Sequence, residues 1–495
     1  MLVSMSDDGL AIIDAAEFGA VPDDGRNQLG ALRKAVAASV RVGNCVLRIA
    51  PGRYVLAESE AMALQEQVLS GNLPNAQDTL FNRKYHYVTG LDFSGADHIS
   101  VDARGVEFLV EGWMEPISLR DCNKVTINGL SIDYKRPPNS EGVITRVSDS
   151  AIDVTFADWC PITERTPFIR LMIFDDRQQS FCGESLGHSG IALIAPQTLR
   201  FTLRSGQCQV GRRVCGLHGF HFRPAILLYQ ARNTVLNDVT IHAQPGMGIV
   251  GHLCENLTMN RLRVLPRAGR HISSNTDATH FATCRGLIRF DACGFAGHGD
   301  DATNVHCYYT DILAMLPGKR CTLDVNPRFV THSVKRDYPR VGDVLAIVKR
   351  SSLEEVGSLE VCEVEHSPDD YSYTITYEGT LPEDIQHYTL ANITASPALE
   401  FVNCKVRSHR ARSVLVKTRN VLIENCSFEN NTGTAIHIGA EGSWMEGVTS
   451  ADVVVRGNRF FNCALGGASG EGDGVIDGAC AIAVHVNADD VSVPG

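Results

Sequence analysis

No Cys-X-X-Cys pair occurs among the 16 cysteines, and that absence removes zinc-ribbon and thioredoxin-type chemistry. Positive charge is also short: 45 Lys and Arg stand against 57 Asp and Glu, a formal net charge of −12. Nucleic acid and anionic membrane surfaces are therefore not expected as partners. A polyanionic substrate such as pectin would need a local basic patch. No apolar run reaches the roughly 18 residues of a spanning helix. The opening residues MLVSMSDDGL lack the basic start and long apolar core of a signal peptide. The sequence reads as cytoplasmic as it stands, and as secreted or periplasmic if a leader has been removed. No His, Cys or Asp spacing matches a metal site. The Gly-rich stretch Gly466–Gly474 lacks the strand–helix context of a phosphate loop. No metal and no cofactor is expected.

What is present is a short, degenerate repeat of alternating apolar and polar residues with Asn, Asp or Gly near its start. Asn128–Ile132, Asn237–Ile241, Asn260–Val264, Asp291–Phe295, Asn403–Val406, Asn425–Phe428 and Asn458–Phe460 all fit it. The shared inward position recurs after 23 residues (Val239 to Leu262), 31 (Leu262 to Cys293), 22 (Cys404 to Cys426) and 32 (Cys426 to 458). A period of 22 or 23 with occasional longer loops is that of a stacked strand solenoid. Leucine-rich repeats share the period but need regular leucines that are missing; an antiparallel sandwich is the structural alternative. Cys293, Cys404 and Cys426 share one strand position, which predicts buried free thiols stacked on one face, and so many unpaired thiols suit a reducing compartment.

The expected fold is all-β: a right-handed parallel β-helix with an N-terminal capping helix and two inserted small antiparallel β-barrels. The helix spans Asn27 to Val40, with Leu29, Leu32, Val36 and Val40 at helical spacing, and it covers a sheet edge that would otherwise be open. Residues 139–225 and 311–396 break the repeat with alternating strands. The chain then divides into 1–138, 139–225, 226–310, 311–396 and 397–495. The second insert, starting soon after the acids described next, is expected to lean over them. Ala481–Val486 is a strand pattern with no evident cap, an edge that a second copy of the chain could cover.

Two acidic motifs, Asn275-Thr276-Asp277 and Gly299-Asp300-Asp301, carry the chemistry. Asp277 and Asp300 are 23 residues apart, about one coil, and stacked coils lie roughly 4.7–4.9 Å apart. Consecutive strand residues face opposite ways, so Asp300 and Asp301 must sit at a bend, which Gly297, His298 and Gly299 favour. Like charge should raise at least one of the three pKa values. A protonated acid beside ionised carboxylates is the equipment for glycoside hydrolysis. His280, Asn304 and His306 are candidates for bonding sugar hydroxyls or for simple loop packing. Trp444 could stack on a sugar face with Glu446 as a hydroxyl acceptor. Arg270, His271 and Asn275 lie on the approach to Asp277, and His298 either tunes the neighbouring acid or is a solvent-facing turn residue.

The sequence around these acids resembles two families. Asn-Thr-Asp followed by Gly-Asp-Asp is similar to polygalacturonases, but their Gly-His-Gly lies a coil beyond the acids, and here Gly297-His298-Gly299 abuts them. A closer resemblance is to glycoside hydrolase family 110, the α-1,3-galactosidases. It rests on Asp277-Ala278-Thr279-His280-Phe281, Cys284-Arg285-Gly286 and Asp300-Asp301-Ala302-Thr303-Asn304-Val305-His306, with Arg410-Ala411-Arg412, Ile423-Glu424-Asn425 and Trp444-Met445-Glu446 further on. This resemblance implies an inverting exo-hydrolase acting on glycans that end in α-1,3-linked galactose, of blood-group-B or linear type. It implies Asp300 as general acid, with Asp277 and Asp301 activating water. His298 and Cys307 depart from the family's usual Gln and Gly. Inverting pairs commonly sit roughly 6.5–9.5 Å apart, so the acids are expected to splay. A polygalacturonase-like or other β-helix hydrolase, and a non-catalytic carbohydrate-binding β-helix, are the alternatives.

Overall fold

The computed structural model describes residues 4–5, 9–73, 86–206, 208–324, 338–367, 372–466, 480–486 and 488. Its body is a parallel β-helix in which a full coil contributes one strand to each of three sheets. The first sheet stacks Arg232–Asn237, Glu255–Asn260, Arg285–Asp291, Ala398–Val402 and Arg419–Glu424. The second stacks Thr240–Ile241, Arg263–Val264, Gly294–Ala296, Lys405–His409 and Ser427–Asn431. The third stacks Ile226–Tyr229, Ile249–His252, Thr279–Ala282, the start of Thr303–Leu316, Val414–Val416 and Ile436–Ile438.

The repeat seen in the sequence is the bend between the first and second sheets. Asp238, Arg261, Ala292, Asn403, Asn425 and Gly457 occupy the same step of successive coils, all with φ between 53° and 68°. Left-handed backbone favours Gly and tolerates Asn and Asp, which fits Asp238, Asn403, Asn425 and Gly457; Arg261 and Ala292 take the same step, and Asn237, Asn260 and Asp291 stand one residue before it. The inward residue that follows is Val239, Leu262, Cys293, Cys404 or Cys426, all buried. The three cysteines are free and stacked, and the Cys404 N–H lies 3.4 Å from Cys426 Sγ. Asn128, Asn237 and Asn260 form an amide ladder with 2.9 Å bonds on the outer side of this bend, while Phe290, Phe401, Phe428 and Phe460 stack within the core.

The capping helix is Leu29–Val42, with Leu29, Leu32, Ala35 and Val36 buried against the first coils. It starts two residues later than the sequence pattern suggests, because Asn27 accepts the Leu29 N–H from outside the helix, and it runs two residues further, up to the positive-φ Gly43. Two antiparallel units interrupt the coils. Strands from Asn139 to Leu217 form a seven-stranded sheet wrapped on its own core, and it leaves the helix between the second and third sheets. The second unit is a closed six-stranded barrel that begins when the strand Thr303–Leu316 runs out of the third sheet. It continues through Arg320–Asp324, Val344–Lys349, Glu355–His366, Ser372–Gly379 and Tyr388–Asn392, the last pairing back to Tyr309–Asp311. Ile482–Val484 adds a further strand to the third sheet, with Val484 exposed. Residues 467–474 of the Gly-rich stretch lie outside the described residues. No helix among the described residues is long and apolar enough to cross a membrane.

Candidate active site

The acids occupy the turn that leads from the second sheet to the third, in two successive coils. The shorter turn, Ala296 to Thr303, bends at Gly297 (φ 68°) and passes so close to the Asn275 carbonyl that Gly299 has no room for a side chain. The third sheet pairs Thr279 with Thr303, so residues 24 apart are in register. Asp301, rather than Asp300, therefore lies over Asp277, which corrects the 23-residue stacking expected from the sequence. Asp301 donates its backbone N–H to Asp277 Oδ1 at 3.3 Å. Asp277 and Asp301 are buried, and Asp300, on the bend, keeps 32% of its side chain exposed. Each carboxylate places an oxygen within 4.8 Å of the other two. The expected splaying does not occur, because the backbone bond from Asp301 to Asp277 ties the two coils together at this point.

A ring of paired groups surrounds the acids. Ala411 has φ 66°, and the arginines on either side of it reach different acids. Arg410 lies 3.2 Å from Asp300 Oδ1 and donates to the Gly299 carbonyl. Arg412 donates its backbone N–H to Asp301 Oδ1 at 3.0 Å and its guanidinium to both Asp301 oxygens at 3.3 Å. The same guanidinium donates to Glu441 at 2.6 Å. The fully buried Lys417 pairs with Glu441 at 2.5 Å and also with Glu446. Glu446 accepts from Asn304 at 2.9 Å and faces His306 Nε2 at 3.6 Å. His306 Nε2 meets His280 Nε2 at 2.8 Å, and His280 Nδ1 returns to Asp277 Oδ2 at 2.8 Å. So many buried charges are tolerable because each has a partner.

Burial pushes the Asp277 carboxyl well above the usual carboxylate range, and the charges of Asp300 and Glu446 add to the effect. Burial also raises Asp301, against the pull of Arg412. The same burial pushes His280 down to about 4 and His306 to about 3. Burial acts to raise Glu441, but Lys417 and Arg412 outweigh it and hold the group at about 2. Among the described residues three groups bring three metal-capable atoms within 4.8 Å: these acids, His280 with His306 and Glu446, and Glu141 with Cys215 and His271. In the second group the imidazoles bond each other and Glu446 bonds Lys417 and Asn304. In the third, Glu141 accepts from His271 Nδ1 and from two backbone N–H groups.

Comparison with known proteins gives this geometry a context. The family described as "Right handed beta helix region" matches residues 388–489. Alpha-1,3-galactosidase A of Bacteroides fragilis is 28% identical over 479 residues, covering 92% of this chain and 77% of its own. Alpha-1,3-galactosidase B of Bacteroides thetaiotaomicron is 23% identical over 477 residues, covering 91% and 75%. The chain is a relative of the α-1,3-galactosidases. Solved structures are matched distantly: the A-module of mannuronan C-5 epimerase AlgE6 from Azotobacter vinelandii aligns over 90% of this chain and 79% of its own, with 10% identity and a TM-score of 0.34.

In this α-1,3-galactosidase relative the other predicted residues divide into three groups, with Asn304 and Trp444 standing apart. His280, His306 and Glu446 belong to the ring, where their bonding atoms face one another rather than a sugar. Asn275 and His298 are buried supports. The Asn275 amide donates to the carbonyls of Gly219 and Pro138. His298 is neither solvent-facing nor open to a ligand: Nδ1 donates to the Asp300 carbonyl at 2.6 Å, and the ring stacks on His409 with centroids 4.0 Å apart. Arg270 and His271 are engaged elsewhere, with Asp133 at 2.7 Å and Glu141 at 2.7 Å. Asn304 donates into the ring but leaves Oδ1 buried with no partner. Trp444 is half exposed in the turn before Glu446.

The first inserted domain, not the second, abuts the acids among the described residues. Arg170 approaches the Gly299 carbonyl at 3.4 Å. His221, on the segment returning from that domain, feels the charge of Asp300, and burial pushes it down to about 4. The described part of the second domain packs Ala346, Val348 and Ala391 in one cluster with Ala440 and Val448, which flank Glu441 and Glu446 of the ring, and it lines a narrow cavity with Thr283 and Tyr308 at the far end of the third-sheet strands. Arg410, Arg412, Lys417, Glu441, Arg170 and His221 carried no assigned role in the sequence reading. Lys417 had a visible signal, since it follows the apolar strand Val414–Val416 in register with a buried column.

Proposed function

We propose that the chain is an inverting exo-glycosidase that removes terminal α-1,3-linked galactose from glycans. Asp300 protonates the leaving oxygen, and Asp277 with Asp301 holds and deprotonates the attacking water. The observation that carries this reading is the clustering of three carboxylates at two stacked turns, with Asp300 reaching the surface, in a chain related to α-1,3-galactosidases over nine-tenths of its length. Asp300 has the accessibility a group needs to meet a bridging oxygen, while Asp277 and Asp301 form the floor beneath it. Arg410 and Arg412 hold these carboxylates in place, and orientation of this kind contributes to lowering the barrier. The unpartnered Asn304 Oδ1 is an acceptor for a sugar hydroxyl, and Trp444 offers an apolar face for the ring.

The separation favours a second reading at one step. Carboxylates this close lie nearer to the roughly 5–5.5 Å of retaining enzymes than to the wider inverting gap. In the inverting course the water rests on Asp277 and Asp301 together, and no space between opposed groups is needed. The test of substrate class is a product-release screen of the purified chain on α-1,3-galactosides, α-1,4-galactosides and polygalacturonate. Galactose from the α-1,3 substrates alone is expected; release from polygalacturonate alone would transfer the assignment to a polygalacturonase-like enzyme.

A further inference from the structure

Burial raises the Asp277 carboxyl well above the usual carboxylate range, yet a base must be able to take a proton. The chain of contacts behind it offers a way out. His306 Nδ1 lies 3.1 Å from the Cys307 carbonyl, which can only accept, so that nitrogen carries hydrogen. Neutral His306 then presents a bare Nε2 to His280 Nε2 at 2.8 Å, and His280 must donate there. His280 Nδ1 is left bare toward Asp277 Oδ2 at 2.8 Å, and Asp277 supplies the proton of that bond. Three hydrogen bonds thus hold three protons with no net charge.

We propose that His280 and His306 act as positioning residues in a proton-storage chain that allows Asp277 to serve as the base. This rests on the reading of Asp277 as the water-activating acid. As water attacks, one of its protons passes to Asp277 Oδ1 and its electron pair forms the new C–O bond. The proton on Asp277 Oδ2 passes to His280 Nδ1, and the His280 Nε2 proton passes to His306 Nε2. The C–O bond to the leaving group breaks, and Asp300 protonates that oxygen. The added charge comes to rest on His306, where Glu446 faces it at 3.6 Å and is itself fixed by Lys417. The other groups around the two rings are Asp300, His252 and the Tyr308 ring, the last edge-on to His306 at 4.8 Å. Glu446 and Asp300 favour the shifted proton, while burial, the largest influence on both rings, opposes it together with Lys417 and His252. Without the chain, the same proton would have to leave through solvent from a buried group.

Nitrogen-15 NMR of the full chain labelled at histidine reads the tautomers without reference to any substrate. The expected result is hydrogen on Nε2 of His280 and on Nδ1 of His306 in the free protein. Hydrogen on Nε2 of His306 with a bare Nδ1 would overturn the proposal, since Asp277 would then already be ionised. In kinetics, His306→Gln is expected to lower kcat by about 100-fold, the scale of one general-base contribution, with KM within about threefold. Wild-type kcat in that variant would also overturn it. Full activity in Asp300→Asn would instead sink the glycosidase mechanism and leave the tautomer result intact, so the two failures are separable.

Discussion

Asp301 rests on Asp277 through one backbone bond, its N–H to Oδ1 at 3.3 Å. The two acids are thus placed by sheet register, with the coil spacing and not a side-chain choice setting their approach. Asp300 is the residue that the bend turns outward. An open acid over two closed ones is an asymmetric set.

Lys417 is the sole cation of the ring that contacts both Glu441 and Glu446. Lys417→Met leaves two buried carboxylates short of a counter-charge. Removing one partner of a buried pair commonly costs about 3–5 kcal/mol. Urea unfolding should show a loss of that order. A change below about 1 kcal/mol would mean that the ring carries little of the local stability.

Asp277 has a folded pKa raised above its unfolded value of about 3.9. The folded state binds this proton more tightly, so the group favours folding when the pH is low. That advantage is lost as pH rises from about 4 through the folded value. Asp277→Asn should therefore melt higher than wild type at pH 7, by about 1.4 kcal/mol for each tenfold change in proton affinity. The difference should shrink toward pH 4. Equal melting shifts at both pH values would contradict the burial argument.

His298 acts on Asp300 through the backbone. His298→Ala removes the bond to the Asp300 carbonyl and the stack on His409. It should lower kcat about tenfold by loosening the acid, and His298→Gln, which can still donate, should recover most of that loss. Steady-state kinetics of both variants decide the point; equal loss in the two would assign the effect to the stack.

The bends of the β-helix were legible at Asn403 and Asn425, where Asn takes the left-handed step, and at Asn128, Asn237 and Asn260, where the visible residue belongs to the amide ladder. The capping helix was legible as apolar residues at 3.6-residue spacing. What the sequence hid was the depth of each turn. The turn from Phe295 to Thr303 is seven residues shorter than its neighbour from Val264 to Thr279, which leaves a local offset of 24 rather than 23 and puts Asp301 over Asp277, and no local pattern reports that. Lys417, Glu441 and Arg412 were hidden by distance, since an entire barrel separates them from Asp301 in sequence. His280 and His306 were recognised as near the acids, but their direction depends on which strand face the register turns inward.

Trp444 is half exposed, two residues before Glu446 of the ring. If it stacks on the sugar, Trp444→Ala should raise KM about five- to tenfold, matching the roughly 1 kcal/mol of an aromatic contact, and leave kcat within twofold. A fall in kcat at unchanged KM would show that it supports the catalytic turn instead.

The stereochemical course tests the central claim most directly. Proton NMR of the first galactose released from an α-1,3-galactoside, recorded before mutarotation, reads it in one experiment. The account predicts that the β-anomer appears first and the α-anomer grows in later. First appearance of the α-anomer would contradict inversion and make the close approach of the carboxylates the mark of a retaining enzyme.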